Sequence, residues 1–488
     1  MPRRQRLPAD AAERAYMSGI DEIPWQCRIQ WSDGGLVVER EQHDSGNFFI
    51  PVLIDGHGEL MLSTASLMER PRPYQLDVEL ARGTLHRLRN QIAVWEGAGM
   101  AIPAEVIRLL AAAREHFSWA ATRQTEPEQA ADRAAAALSL TLSAMDRLSL
   151  SYTEQVLPVR HQQAGKLTTL IGCHLGSAPP TAAGERIASA FNTAVVPLVW
   201  REIESREGRR DWTLADKQIE WCRSLGLKIC SGPLLSIDKW SLPDWMYLWG
   251  EEDLDSFYTC VTEHLEATVT RYRGKVQLWQ CAAGLNIKSD FLHDDEQRLR
   301  MAVLAVESIR RIDPRAPIVL CIDQPWGSFM GREDYELSPF HFVDALVRSD
   351  LGLAGIGLEI NFGYLSPGSD PRDVLEFSRQ LDRFSLLGLP LLVELTVPSG
   401  AGDDPRARSS AKAVNYSDAA ALSPQAQRAW GEKFLPMLLT KQAVQGIIWN
   451  QLFDSKPHTF RHGGLFDEHD HPKPLFELLE SLRREHLM

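Results

Sequence analysis

No stretch of this chain approaches 18 uninterrupted apolar residues, the length at which a helix begins to span a bilayer. A membrane partner is therefore not expected. The arginines of the opening "MPRRQRLPADAAERAYMSG" have no apolar run behind them, so they do not make a secretory signal and a cytoplasmic location is the expectation. Basic charge is also short, with 52 Lys and Arg against 65 Asp and Glu and a net charge of −13. Nucleic-acid binders usually display a basic face, so no nucleic-acid partner is expected, and neutral or cationic partners are easier to accommodate. Cysteine is sparse and odd in number: seven residues, at 27, 173, 222, 230, 260, 281 and 321, several inside apolar runs. That scatter suits buried reduced thiols better than disulfides or a metal site. No Gly-rich phosphate loop follows the first apolar run of the second half, which counts against a doubly wound nucleotide-binding sheet.

The 488 residues are enough for two or three domains, and 44% hydrophobic with 24% charged residues is ordinary for a globular chain. Residues 1–75 read as a small β-rich unit. Short β-like runs ("CRIQW", "GLVVER", "NFFIPVLI", "GELMLST") alternate there with the turn signals "SDGG" and "DGHG". Residues 76–165 carry helical periodicity in "PYQLDVELARGTLHRLRNQIAVWEGAG" and "PAEVIRLLAAAREHFSWAA", followed by an Ala-rich third helix over 126–160. Alanine-rich helices pack closely on their neighbours, so this segment is expected against the rest of the protein. The β unit fits either a carbohydrate-binding module, given Trp25, Trp31, Phe48 and Phe49, or a structural buttress.

From 166 to 488 eight apolar, β-branched runs recur: "LTTLIGC", "TAVVPLVW", "LKICSGPLL", "KVQLWQCAA", "PIVLCID", "LAGIGLEIN", "PLLVELT" and "GIIWNQLF". Continuous apolarity without alternation marks strands buried on both faces. Helical segments lie between them, with N-caps before first-turn prolines at Ser338-Pro339, Asp370-Pro371 and Ser423-Pro424, an acidic start at "HDDEQ", and a last helix at about 474–486. Eight strands alternating with helices over this length predict a (β/α)8 TIM barrel.

Chemistry in such barrels collects at the C-terminal strand ends. Those ends carry Trp200, then Asp238, Lys239 and Trp240, then Asp323, Glu359 with Asn361, Glu394, and finally Trp449, Asn450 and Gln451. Glu394 is the most telling, because a carboxylate that follows "LLV" in a buried strand is costly unless it is paired or used. Rings beside acids and amides describe a carbohydrate site, where rings stack on apolar sugar faces and polar groups bind hydroxyls. The bland readings are a core tryptophan at 449 and a helix-capping Asp323. The histidines of "FRHGGLFDEHDHPKP" (462, 469 and 471) are irregularly spaced and read as a solvated loop. No metal or cofactor is expected.

The order of these motifs resembles the catalytic barrel of glycoside hydrolase family 10, the xylanase family. "LIGC" resembles its first strand. "FNTAVVPLVWREIESREGRRDWTLADKQIEWCRSLGLKICSGPLL" follows its second and third strands, and "SLPDW" the motif after the third. "GIGLEIN", "LLVELT", "GIIWNQLFD" and "GLFDEHDHPKPLF" match its sixth to eighth strands and tail. The resemblance covers residues about 166–488 and implies a β-glycoside substrate, with Glu394 in the position of a retaining nucleophile. It places the general acid/base in "KVQLWQCAAGLN", where alignment on Trp279 puts that position on Gly284 and its preceding asparagine on Ala283. The family's polar residues around strand two become "VVPLVW", its third-strand histidine becomes Pro233, its "WHSQ" becomes "IDKWS", and its sixth-strand pair becomes Glu359 and Asn361. Glu359 is the substitute carboxyl on offer. A glycan-binding barrel without turnover is the alternative.

Overall fold

A computed structural model describes residues 6–177, 183–248, 254–364, 368–408 and 422–488. Six strands come first: β1 (Tyr16–Ser18), β2 (Pro24–Trp25), β3 (Cys27–Ser32), β4 (Gly35–Arg40), β5 (Asn47–Ile54) and β6 (Gly58–Ser63), preceded by the one-turn α1 (Ala11–Arg14). Strands in the order β2-β1-β5-β6 form an antiparallel sheet, and β3 and β4 make a separate hairpin turned at Asp33-Gly34. Three helices follow, α2 (Leu76–Gly97), α3 (Ala104–Thr122) and the 38-residue α4 (Pro127–Ala164). Ala130, Ala134, Ala137 and Ala144 of α4 are fully buried. Their small side chains allow the close helix approach that the alanine run implies.

The remaining chain is a closed (β/α)8 barrel. Its strands are β7 (Leu170–His174), β8 (Thr193–Val196), β9 (Lys228–Ser231) with its short continuation β10 (Leu235–Ser236), β11 (Leu278–Ala283), β12 (Ile318–Asp323), β13 (Gly355–Asn361), β14 (Leu391–Thr396) and β15 (Val444–Trp449). All neighbours are parallel, β15 pairs with β7, and β9 pairs with β11 to close the ring. The helices are α5 (Gly184–Ala190), α6 (Trp200–Ile203), α7 (Thr213–Ser224), α8 (Leu254–Tyr272), α9 (Asp295–Ile312), α10 (Pro339–Arg348), α11 (Val374–Ser385), α12 (Pro424–Thr440) and α13 (Pro474–His486). No helix among the described residues is long and apolar enough to cross a membrane.

The barrel interior is a packed core of alternating large and small residues. Cys321 and Leu392 fill one layer beside glycines that leave them room. A Cβ on Gly357 would sit 2.3 Å from the Cys321 sulfur, and one on Gly446 would sit 2.1 Å from Leu392 Cδ1. None of the seven cysteines is in a disulfide; Cys27 and Cys260 are only half-buried, unlike the other five.

Local signals held where they involved side chains alone. Ser338 caps α10 through the His341 amide, Ser423 caps α12 through the Ala426 amide, and Asp294 forms a capping box with Gln297 at α9. The helix expected at Asp370-Pro371 begins instead at Val374, capped by Asp373. Tertiary contacts claim the earlier pair: Asp370 accepts an ion pair from Arg14 at 2.6 Å, and the Pro371 carbonyl accepts the Met61 amide at 2.8 Å. The second and third strands are shorter than their apolar runs. "PLVW" leaves the sheet and Trp200 opens α6, while the third run is broken into β9 and β10 at Gly232-Pro233.

Residues 6–165 lie in part against α11 and α12. Arg14 bridges Glu59 of β6 and Asp370, Arg87 of α2 reaches Asp373 at 3.0 Å and Glu376 at 3.2 Å, and Asp146 of α4 pairs with Lys433 at 2.7 Å.

Candidate functional site

Strand register assembles the site. Asp323 of β12 is the Cα partner of Glu359 on β13, which is the partner of Glu394 on β14, and the same row continues through Ile448 and Gly172. Parallel strands in register point aligned side chains to one face, and adjacent strands are about 4.8 Å apart. Three carboxyls therefore stand side by side at the C-terminal end of the barrel. They face a cavity of about 470 Å³, within the range of roughly 300–1,000 Å³ typical of small-molecule sites.

Glu394 is held from below. Its Oε1 accepts a hydrogen bond from Gln280 Nε2 at 2.6 Å and another from the Cys321 thiol at 3.2 Å. Burial, reinforced by the neighbouring Glu359 charge and opposed by the Cys321 bond, pushes its carboxyl up to about 8. Glu359 accepts from Asn361 Nδ2 at 3.2 Å; burial lifts it to about 7, with the amide pulling the other way and Asp238 adding to the rise. Burial, then Glu359, also pushes Asp323 well up, against a hydrogen bond from the Gln324 amide. Among the described residues no basic side chain forms an ion pair with any of the three. Carboxyls so placed share protons rather than ionise together.

The walls come from loops. Asp238 closes a turn by accepting from the Trp240 and Ser241 amides, which presents Trp240 at 43% exposure on the cavity rim. Asn450 and Gln451 also line the cavity; Gln451 is fixed by Asp454 at 2.8 Å and by the Phe460 amide. The loops after β14 and β15 are clasped together, with Asp404 accepting from His458 Nε2 at 2.8 Å and from the His462 amide at 3.0 Å. These bonds hold the Asp404 carboxyl well below the usual carboxylate range although its burial acts the other way. Arg408 crosses to Glu202 at 2.9 Å, and both line the cavity.

Four expected contacts are corrected. Trp200 is 3% exposed, donates to Glu204 at 3.0 Å and stacks on His264, so it is core packing away from the cavity. Trp449 is 2% exposed, donates to the Gly463 carbonyl at 2.8 Å and packs edge-on against Trp430; it offers no ring to the mouth. Trp449 does end its strand, whereas Trp200 lies past the end of β8 as the first residue of α6, and the ring direction of both depends on the flanking helices. Lys239 directs its ammonium over the Trp240 ring at 5.2 Å and is not in the cavity lining. Asn361 is fully buried and acts through others, donating to Glu359 and accepting from Asn450 Nδ2 at 2.8 Å. Glu394, Glu359, Asp323, Asp238, Trp240, Asn450 and Gln451 all line the cavity. Gly284 lines it too, at φ +69°, with no side chain to donate a proton.

Sequence reasoning missed Gln280, whose partner lies 114 residues away, and His174, which ends β7 and was open to the same strand-end argument. His174 accepts from the Gly176 amide at 3.2 Å, and burial drives its ring down to about 4, so it is neutral.

No protein-family model matches the chain, and no curated protein sequence matches it either. Solved structures do. Xylanase 10B from Thermotoga maritima is 18% identical, with 67% of this chain and 98% of that one covered and a TM-score of 0.49. A family 10 xylanase from Thermobacillus composti is 18% identical over 67% of this chain and 99% of that one, at a TM-score of 0.48. A family 10 structure from Paenibacillus barcinonensis is 16% identical over 66% and 97%, at 0.49.

Proposed function

We propose that this protein is a retaining glycoside hydrolase of xylanase type that attacks a β-glycoside through Glu394. The observation that carries the reading is the seating of Glu394: a buried carboxyl at a barrel-strand end, fixed at Oε1 by Gln280 and Cys321, with Oε2 left over and a cavity in front of it. A nucleophile needs this combination of immobility and access. Glu359 ionises before Glu394, and it assists by taking up the pair's proton, which gives the reactive microstate in which Glu394 carries the charge. The sugar lies across the acid row with Trp240 as the exposed ring and Asn450, Gln451 and Asp238 as polar contacts. The order of barrel motifs in the sequence supports the same assignment. Incubation with a panel of activated aryl β-glycosides tests it: the unmodified enzyme releases the phenol, and Glu394→Gln abolishes release with the fold intact.

A second reading is favoured by Gly284, which leaves the usual acid/base position empty of a carboxyl. On that reading the barrel grips a glycan without cleaving it. Oligosaccharides that raise the melting temperature without any aryl glycoside being cleaved would select it.

A further inference from the structure

We propose that Asp323 is the proton donor and acceptor of the reaction, replacing the carboxyl that Gly284 lacks; this rests on the reading of Glu394 as nucleophile. A retaining enzyme needs its second carboxyl on the other side of the scissile bond, about 5–5.5 Å from the nucleophile. Glu359 stands on the strand next to Glu394 and shares its side of the sugar. Asp323 is one strand further round, on β12 beside β11, the strand that Gly284 directly follows. Of the three acids in the row it stands nearest the vacant acid/base position, and it too lines the cavity.

Among the described residues no cationic side chain pairs with it, yet its setting is closely determined. The Asn286 side chain brackets its backbone, donating to the Asp323 carbonyl at 2.8 Å and accepting the Asp323 amide at 3.0 Å. The next residue, Gln324, adopts φ +48°, a left-handed conformation uncommon outside glycine, and its amide donates to Asp323 Oδ1 at 2.8 Å. Strain of this kind persists where surrounding structure holds it, often at reacting groups. Oδ1 is thus occupied by a backbone donor, and the Gln324 side chain, which also bonds the carboxyl, is the group the leaving oxygen would displace. Burial, then the neighbouring Glu359, raises the group well above the ordinary aspartate range, the direction a general acid needs.

The step balances as follows. Glu394 Oε2 bonds to the anomeric carbon while the bond to the leaving oxygen breaks. That oxygen keeps the electron pair and takes the Asp323 proton, giving an alcohol and the Asp323 carboxylate. The carboxylate then takes a proton from water, whose oxygen bonds to the anomeric carbon as the ester to Glu394 breaks. Both residues return to their starting states.

The test compares Asp323→Asn and Asp323→Ala with Glu359→Gln, each checked for an unchanged circular dichroism spectrum. Two β-glycosides are used, one with dinitrophenol and one with an alkyl alcohol as leaving group. If Asp323 is the acid, its variants lose alkyl glycoside hydrolysis by 100-fold or more, while the first dinitrophenol release falls less than tenfold. Azide then restores turnover and gives a glycosyl azide of retained configuration, and the alkaline limb of the pH profile disappears. Equal losses on both substrates, no effect of azide, or the same signature in Glu359→Gln overturns the assignment of Asp323 and leaves Glu394 standing. Absence of any cleavage by the unmodified enzyme overturns both.

Discussion

Gln280 Nε2 lies 2.6 Å from Glu394 Oε1, a bond between β11 and β14 made beneath the cavity, with both side chains buried. An amide donor favours the ionised carboxylate. It therefore offsets part of the burial that pushes Glu394 up to about 8. Replacing Gln280 with leucine removes the donor, so the acidic limb of kcat/KM is expected to move to higher pH by about one unit. A pH–rate profile on an activated aryl glycoside measures it. A uniform loss of rate with no movement of the limb would sink the idea.

The acid row also predicts how stability varies with pH. Glu359 and Glu394 are lifted from 4.5 to about 7 and about 8, so folding favours their neutral forms. Their contribution to stability is complete below the unfolded value and is lost as pH rises through the folded values. The melting temperature should fall between pH 5 and pH 8.5. Glu359→Gln, which is neutral throughout, should flatten that fall and melt at least about 2 °C above the unmodified protein at pH 8. Scanning calorimetry across the range decides it.

Trp240 is the exposed ring at the rim, and its replacement by alanine should weaken oligosaccharide binding by about 1 kcal/mol, the scale of an aromatic contact. Stability should not change, since among the described residues no ring stacks on it. Titration calorimetry against the Glu394→Gln variant avoids turnover during the measurement. Alanine at Trp200 or Trp449 should instead destabilise the fold by about 3–5 kcal/mol, because each leaves a large cavity.

Arg14 is a buried link between the two parts of the chain, with its side chain 5% exposed and its partner Glu59 fully buried. Arg14→Ala leaves Glu59 and Asp370 without their counter-ion, at an expected cost of about 3–5 kcal/mol. Denaturant unfolding reads this directly. Alanine at the exposed Arg223 is the control, since its pair with Glu220 lies at the surface and contributes within about 0–1 kcal/mol.

The barrel itself was legible because its strands are buried on both faces and spell that out in unbroken apolar runs such as "PIVLCID". Glu359 and Glu394 were legible as neighbours for the same reason: fixed strand order leaves little freedom in which ends meet. Helix starts at Ser338 and Ser423 could be read because a cap is a local bond. Asp370 was misread because Arg14, 356 residues away in sequence, takes its carboxyl. Trp200 and Trp449 were misread for a related reason: whether a ring faces the mouth or the helices depends on packing partners that the local pattern does not contain. The cavity walls at Arg408, Lys456 and Phe460 come from loops, where no periodicity marks an inward side chain.

The guanidinium groups of Arg14 and Arg87 neutralise Asp370, Asp373 and Glu376 at the start of α11. A fragment cut at residue 166 would expose these acids together with the faces of α11 and α12 that the long α4 now covers. The strands of the ring are all present in such a fragment, yet it would carry an uncompensated acidic edge and a bare apolar flank. Recombination or gene fission could not hand this barrel on by itself without rewriting that flank.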